Sequence, residues 1–139
     1  MYELSPPDQV FAFDANKLRS PDVSFWTAWH GDVLLGCAAL KELSSTQGEI
    51  KSMRTPRDRR RTGAGRALLN HITDVARSRG YRVLYLETGR HTAFAPAQTL
   101  YGSAGFRRCG PFGAYRENGN SVFMSLPLSH RAPSAQSWG

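Results

Sequence analysis

The most informative segment of the chain reads Arg60-Arg61-Thr62-Gly63-Ala64-Gly65-Arg66. It lies between a predicted strand and a predicted amphipathic helix. Glycines at such a junction let the backbone turn tightly and bring several amide N–H groups close to a ligand. The first turn of the helix adds unpaired amide donors and a partial positive charge. The segment therefore predicts a site for a phosphate or a pyrophosphate.

Arginine is concentrated around this turn. Fifteen of the 18 Lys and Arg residues are Arg, and six of them lie in one stretch: Arg54, Arg57, Arg59, Arg60, Arg61 and Arg66. A P-loop does not fit, because no Lys-Ser or Lys-Thr pair follows the glycines, and a Rossmann fingerprint needs Gly or Ala where Leu68 stands. The alternative is a glycine turn without a ligand, with Arg57 and Arg59 on a solvated surface. The flanking arginines favour the anion site.

The overall charge also indicates an anionic partner. The net charge is +7 and the isoelectric point is near 10.0, which is typical of proteins that bind nucleic acid, a membrane surface or a phosphorylated ligand. Residues 1–7 lack the basic start and the apolar stretch of a secretion signal, and no apolar run approaches the ~18 residues of a membrane span. We therefore expect a soluble cytoplasmic protein with no membrane partner.

Two sequence blocks resemble one enzyme family. Arg60-x-x-Gly63-x-Gly65 is similar to the [QR]-x-x-G-x-[GA] acetyl-CoA signature of the GNAT (Gcn5-related N-acetyltransferase) superfamily. Residues 97–106, which read AQTLYGSAGF, resemble the A-x-x-L-Y-x-x-x-G-F helix and turn of the same family. One predicted strand separates the blocks, as the family requires. The resemblance covers about residues 25–126, and residues 49–53 and 86–89 further resemble a bacterial subgroup of small members.

The resemblance implies acetyl-CoA as the co-substrate and no metal. The amides of residues 61–66 would hold the pyrophosphate, and the backbone of residues 53–55 would pair with the pantetheine arm and the acetyl carbonyl. The strands at 49–55 and 81–87 would diverge, and the co-substrate would enter the gap between them. The implied acetyl-CoA-binding set is Met53, Arg54, Thr55, Arg60, Arg61, Thr62, Gly63, Ala64, Gly65 and Arg66.

The resemblance also implies two catalytic residues. Tyr101 occupies the position where the family usually keeps a general acid, and a phenol can protonate the departing thiolate. Glu49 lies fourteen residues before Gly63, which is the spacing of the base in histone-type members. Glu87, His91 or bound water are the alternatives for the base. Tyr101 could instead be a packed residue at a helix end, and His91 an ordinary exposed loop residue.

Hydrophobic periodicity predicts the elements that position these residues. Alternating or continuous apolar runs predict strands at 24–30, 33–40, 49–55, 81–87, 106–109 and 121–126, the first two as a hairpin. A period of 3.6 predicts a helix at 63–78, and residues 97–104 are predicted as a second, short helix that ends at Gly105. The expected fold is α+β (α/β), a mixed, mostly antiparallel twisted sheet with flanking helices. We expect a single domain at 1–128 and a flexible tail at 129–139.

The chain departs from the family in two places. Phe94 stands where the family often has Asn, so one contact to the co-substrate is replaced or lost. The family also begins with a strand and a helix, whereas residues 1–23 show no convincing strand. We therefore expect the first strand to be missing or truncated. The exposed sheet edge could then be covered by a partner subunit, in a possible homodimer.

The sequence thus predicts an N-acetyltransferase that moves the acetyl group of acetyl-CoA to an amine of a small molecule or peptide, by direct attack in a ternary complex. No motif names the acceptor. One alternative is a basic nucleic-acid-binding module, with Phe25, Trp26 and Trp29 stacking on bases. Another is a GNAT-fold protein that binds acyl-CoA without catalysis. Cys37 and Cys109 form no metal pattern and are expected to act as small hydrophobic residues.

Overall fold

The computed structural model of the chain describes residues 3–5, 22–54 and 63–128. In these ranges seven strands form one sheet in the order β1-β2-β3-β4-β5-β7-β6. Only β4 and β5 are parallel, and the other neighbours are antiparallel. The predicted mixed, mostly antiparallel sheet is confirmed. The strands are β1 Glu3–Ser5, β2 Val23–His30, β3 Val33–Ser44, β4 Gln47–Arg54, β5 Val83–Gly89, β6 Arg107–Cys109 and β7 Ser121–Pro127.

Two α-helices cover one face of this sheet. Helix α1, Ala64–Ser78, buries a stripe of small and aliphatic residues at helical spacing: Ala64, Leu68, Leu69, Ile72 and Ala76. It is followed by Gly80, whose φ of +85° favours glycine. A 3₁₀ helix at Thr92–Phe94 leads into α2, Ala95–Ser103. Both helices pack against one apolar cluster that includes Leu40, Ile50, Leu84, Leu86 and Met124.

Strand periodicity separates this apolar face from a polar one. Successive side chains of a strand point to opposite faces. Ile50 of β4 lies in the cluster beneath the helices, whereas its neighbours Glu49 and Lys51 lie on the opposite face. Glu49 pairs with Tyr85 of β5, so these two side chains share the face away from the helices. We call this surface the open face.

The first strand, expected to be missing or truncated, is present and is only three residues long. β1 pairs antiparallel with β2, with Glu3 opposite Trp29 and Ser5 opposite Thr27. Three residues are too few to show an alternating pattern, and this strand depends on the ready-made edge of β2.

The observed boundaries differ from the predicted ones in smaller ways. The β3–β4 hairpin extends through the segment 43–48, whose polar residues predict a loop, and its turn is confined to Ser45 and Thr46. Strand β5 begins at Val83 rather than at Tyr81 and continues to Gly89, and Tyr81 is a buried residue between α1 and this strand. No helix in the described ranges is long and apolar enough to cross a membrane. The predicted tail at 129–139 lies outside the described residues.

Candidate active site

The central feature of the site is the gap between β4 and β5. The parallel ladder runs from Gln47–Val83 to Ile50–Leu86 and then ends. Beyond it, β4 continues to Arg54 and β5 to Gly89, without further pairs between them. The predicted divergence of these strands is therefore confirmed. Unpaired backbone groups on facing strands can bind an extended ligand as an added strand would.

A bulge in β4 lies beside this gap. Ala39 of β3 pairs with Lys51, and Cys37 pairs with Arg54, so β4 advances three residues where β3 advances two. An extra residue interrupts the ladder and re-aims the side chains that follow it. Met53 accordingly packs against the apolar cluster on the helix side, while Arg54 is exposed at the end of the strand. The bulge thus alters the backbone at the position predicted to bind the acyl group.

Helix α1 begins with an open N-terminus. Gly63 is the N-cap residue with a φ of +88°, and no side chain caps the helix. The first turn contains no acidic residue, so the amides and the helix dipole are available to an anion. Ala64 is buried, Gly65 is half-buried, and Arg66 donates a hydrogen bond to Ser103 at the end of α2. Thr55, Arg60, Arg61 and Thr62 lie outside the described residues.

Tyr101 is enclosed by apolar side chains. Only 7% of this residue is exposed, and its ring meets that of Phe106 edge-on, with the ring centroids 6.0 Å apart. Burial raises the pKa of Tyr101 to about 12. In the described part of the chain its hydroxyl makes no hydrogen bond. The phenol is therefore a protonated donor without an intramolecular acceptor there, on the helix side of the sheet.

Glu49 lies on the open face within a polar triad. It is 3% exposed. Its Oε2 accepts a hydrogen bond of 2.7 Å from the Tyr115 hydroxyl and lies 3.6 Å from Lys51 Nζ. Lys51 Nζ also donates to the Tyr115 oxygen at 3.4 Å. We call Glu49, Lys51 and Tyr115 the carboxylate triad.

Sequence reasoning missed two members of this triad. Lys51 is two residues after Glu49 on β4, and the period of a strand places both on one face. Tyr115 is 66 residues away, in the loop between β6 and β7. The only signal for it is the presence of two aromatic residues, Phe112 and Tyr115, in a loop otherwise rich in Gly, Pro and Asn.

The alternative bases have other contacts. The exposed Glu87 accepts a hydrogen bond of 2.5 Å from Ser121 Oγ. His91 is exposed and caps the 3₁₀ helix, with Nδ1 accepting from the Ala93 amide at 3.0 Å. A ring nitrogen that accepts this bond is not free to take up a proton without breaking the cap. The contacts favour Glu49 over His91.

Phe94, where the resemblance implies an Asn, lies at the end of the gap. It is 45% exposed, and its ring lies over Gly89, the last residue of β5. A Cβ added at Gly89 would come within 2.3 Å of this ring. An aromatic surface therefore replaces an amide beside the diverging strands.

The structure places the described residues of the predicted acetyl-CoA-binding set in two groups. Met53 and Arg54 lie at the end of β4, and residues 63–66 form the start of α1. Glu49 and Tyr101 are on opposite sides of the sheet, and no hydrogen bond or ion pair within the described ranges joins them. A gap between two strands opens to both faces, so a ligand within it could be approached from each side.

Comparison with known proteins agrees with this geometry. Residues 1–106 match the model of the acetyltransferase (GNAT) family. The chain belongs to this family. It is accordingly an acyltransferase, and the resemblance seen in the two sequence blocks is confirmed.

Curated relatives carry acetyltransferase names. The uncharacterized N-acetyltransferase YsnE of Bacillus subtilis (strain 168) is 50% identical over 90% of this chain and 83% of its own length. The uncharacterized N-acetyltransferase YedL of Escherichia coli (strain K12) is 44% identical, over 92% of this chain and 80% of its own length. A protein of Azospirillum brasilense named IAA acetyltransferase is 36% identical, over 91% of this chain and 82% of its own length.

Solved structures share the fold. A Klebsiella pneumoniae protein described as an acyl-CoA N-acyltransferase aligns with a TM-score of 0.80 and 26% identity, over 93% of this chain and 99% of that one. A Bacillus subtilis acetyltransferase in complex with CoA aligns with a TM-score of 0.74 and 18% identity, over 93% of this chain and 100% of that one. The second likeness bears on the fold alone.

Proposed function

We propose that this family member transfers the acetyl group of acetyl-CoA to an amino group of a small molecule or peptide, by direct attack in a ternary complex. The observation that carries the proposal is the gap between β4 and β5. It diverges at residues 51–54 and 87–89, while helix α1 presents an uncapped N-terminus. An extended thioester with an anionic head needs a groove and an anion site of these two kinds.

The residues at the start of α1 fit a pyrophosphate. Gly63 takes the left-handed conformation that frees the first amides, and the first turn brings no carboxylate that would repel an anion. Arg54, at the end of β4, and Arg66, in the first turn of α1, add positive charge. Thr55, Arg60, Arg61 and Thr62 complete the proposed set, as the resemblance implies.

The backbone of β4 would orient the thioester. The segment around Met53 has no β5 partner, and the bulge disturbs its pairing with β3. An amide in this segment could donate to the carbonyl oxygen, which gains negative charge as the amine attacks. Holding the two reactants together in the groove supplies much of the rate enhancement.

Glu49 would act as the base on the open face. An alkylamine is almost wholly protonated at neutral pH, because its pKa is about 10.4. The carboxylate of Glu49, directly or through one water, takes up the proton that must leave before or during the attack. Its burial keeps bulk water from competing for that role.

Tyr101 would protonate the departing sulfur from the helix side. A phenol with a pKa of about 12 is a weaker acid than a free thiol in water. However, the apolar surroundings that disfavour a phenolate also disfavour a thiolate. The proton is therefore expected to move to the sulfur as charge develops there.

The aromatic residues of β2 offer little support for nucleic-acid binding. Trp26 is half-buried and meets the ring of His71 edge-on at 5.4 Å. Trp29 is half-buried and donates from Nε1 to Thr27 Oγ1 at 2.8 Å. Their rings are engaged within the molecule, which weakens the argument for stacking on bases.

A thiol-release assay tests the proposal. The protein is incubated with acetyl-CoA and separate primary amines: amino acids, polyamines, arylalkylamines and short peptides with free N-termini. We expect acceptor-dependent release of CoA and a product heavier by one acetyl group. Thiol release that is the same with and without every amine, together with no acetylated product, would contradict the proposal.

A further inference from the structure

We propose that Tyr115 is a positioning residue, which holds the Glu49 carboxylate so that one of its oxygens faces the acceptor amine. The inference rests on the proposed role of Glu49 as the base. Tyr115 reaches the open face from the loop between β6 and β7, and its hydroxyl donates a hydrogen bond of 2.7 Å to Glu49 Oε2. The loop would thereby complete the site.

The contacts of Glu49 are unequally divided between its two oxygens. Tyr115 and Lys51 both contact Oε2, at 2.7 and 3.6 Å. Within the described ranges, Oε1 has no hydrogen bond or ion pair. A carboxylate held through one oxygen presents the other in a fixed direction. Oε1 is therefore the oxygen that would accept the proton from the amine or from a bridging water.

The burial of Glu49 makes these contacts necessary. A carboxylate that is 3% exposed has lost most of its hydration. Such a group is stable only when donors or a counter-charge replace the water. Lys51, with 34% of its side chain exposed, supplies the charge from the solvent side, and Tyr115 supplies a short, directional hydrogen bond.

Packing fixes the Tyr115 ring independently of its hydroxyl. The centroid of its ring lies 5.0 Å from that of Phe112 and 5.6 Å from that of Phe123. Phe112 in turn stacks on Tyr85, with ring centroids 4.6 Å apart. The Tyr115 amide also donates to the Phe112 carbonyl at 3.0 Å, which closes a turn of the loop. Replacement of Tyr115 by Phe should therefore remove the hydroxyl and leave the loop in place.

The charges around Tyr115 keep it a donor. Glu49 and Lys51 face it from β4, and Glu87 acts on it from β5. Burial first, then the hydrogen bond to Glu49 and the charges of Glu49 and Glu87, raise the pKa of Tyr115 well above that of a free phenol. The phenol thus stays protonated over the pH range in which an acetyltransferase would be assayed.

The first test is kinetic and uses acetyl-CoA with the amine that reacts fastest in the thiol-release assay. Tyr115→Phe should lower kcat by roughly tenfold to a hundredfold, with little change in the KM for acetyl-CoA. Tyr85→Phe is the matched control: it removes a hydroxyl from the same aromatic cluster and should behave as the unmodified protein.

A double-variant cycle separates positioning from a general structural effect. In a Glu49→Gln background, Tyr115→Phe should cause little further loss, because the two residues act as one unit. An equal loss in both backgrounds, or full activity of Tyr115→Phe alone, would overturn the positioning role. Full activity of Glu49→Gln across the pH range would instead overturn the base assignment, and the positioning role with it.

An ultraviolet titration of the tyrosines needs no acceptor. The phenol that is absent from the titration of Tyr115→Phe is assigned to Tyr115. In Glu49→Gln this phenol should ionise at lower pH, because the negative charge beside it is gone. An unchanged titration would show that the two side chains are not in contact, which would also overturn the proposal.

Discussion

Tyr101 is the residue on which the departure of CoA is expected to depend, since its phenol is a buried, protonated donor on the helix side of the sheet. We predict that Tyr101→Phe lowers kcat by roughly 10²–10³, as expected for the loss of a general acid. Acetyl-CoA affinity should change little, because the hydroxyl would contribute mainly in the transition state. Steady-state kinetics and acetyl-CoA titration measure the two effects. Full activity of this variant across the pH range would contradict the acid assignment.

The raised pKa of Tyr101 also predicts a pH dependence of stability. The folded protein holds this proton up to a pH of about 12, whereas the unfolded chain releases it near 10. The group's contribution is therefore complete below pH 10 and is lost as the pH rises from 10 to 12. Denaturant unfolding should show a smaller loss over this window in Tyr101→Phe, with both proteins also measured at pH 7 as the reference. If both proteins lost the same unfolding free energy between pH 10 and 12, the Tyr101 phenol would not be buried as described.

Glu49→Gln should affect the rate most strongly at low pH. The free amine is scarcest there, so the reaction depends most on a group that takes up its proton. As the pH rises and more amine is deprotonated in solution, the defect should shrink. The pH profile of kcat/KM for the acceptor measures this. A uniform defect, or none, would move the base to Glu87, His91 or bound water.

Local sequence patterns can predict only part of this site. Tyr101 and Glu49 are proposed from the sequence because each lies at a fixed spacing within or before a family motif, and their catalytic roles remain predictions. Tyr115 cannot be found in this way, because its position depends on how the loop after β6 packs on Tyr85 and Phe123. Contacts between distant segments leave no periodic signal in the sequence.

Among the strands, β4 requires a glycine at its second residue, Gly48. A Cβ at Gly48 would lie 2.8 Å from the ring of Tyr81 and 3.0 Å from Leu40, both of which are fully buried. The Tyr81 ring is further held by the hydrogen bond of its hydroxyl to Glu42 at 2.7 Å. We predict that Gly48→Ala lowers the free energy of unfolding by about 1–3 kcal/mol, measured by denaturant unfolding.

Gly102 provides the matched control for that substitution. It lies in α2, and a Cβ added there would have no atom within 4 Å, so an extra methyl group meets open space. Gly102→Ala should stabilise the protein by about 0.5–1 kcal/mol through its higher helix propensity. If Gly48→Ala were equally harmless, the close packing of Tyr81 on β4 would be refuted.

The elements themselves are largely predictable, for a physical reason. The hairpin β2–β3 and helix α1 have long apolar patterns of period two and 3.6. These patterns are local to each segment and do not depend on which other element it packs against. The bulge in β4 is not predictable, because it depends on how Cys37 and Ala39 pair across the hairpin. The strand β1 escapes prediction because it exists only through its pairing with β2.

For the molecule as a whole, the charge and the fold lead to the same expectation. A net charge of +7 suits an anionic ligand, and the fold provides both a gap between β4 and β5 and an uncapped helix N-terminus. Composition alone leaves nucleic acid, membranes and phosphorylated ligands open. The fold and the family membership favour the last class. The single domain at 1–128 remains a prediction that limited proteolysis can test.

Acetyl-CoA binding, measured by calorimetry and thermal unfolding, tests the central claim most directly. We predict a micromolar Kd, and at a hundredfold excess over Kd a stabilisation of roughly 2.7 kcal/mol. Gly63→Val should abolish binding, whereas Gly80→Val, at the other end of α1 with a similar φ of +85°, imposes comparable backbone strain and should still bind. No binding by the unmodified protein at millimolar acetyl-CoA, or equal binding by both variants, would contradict the account.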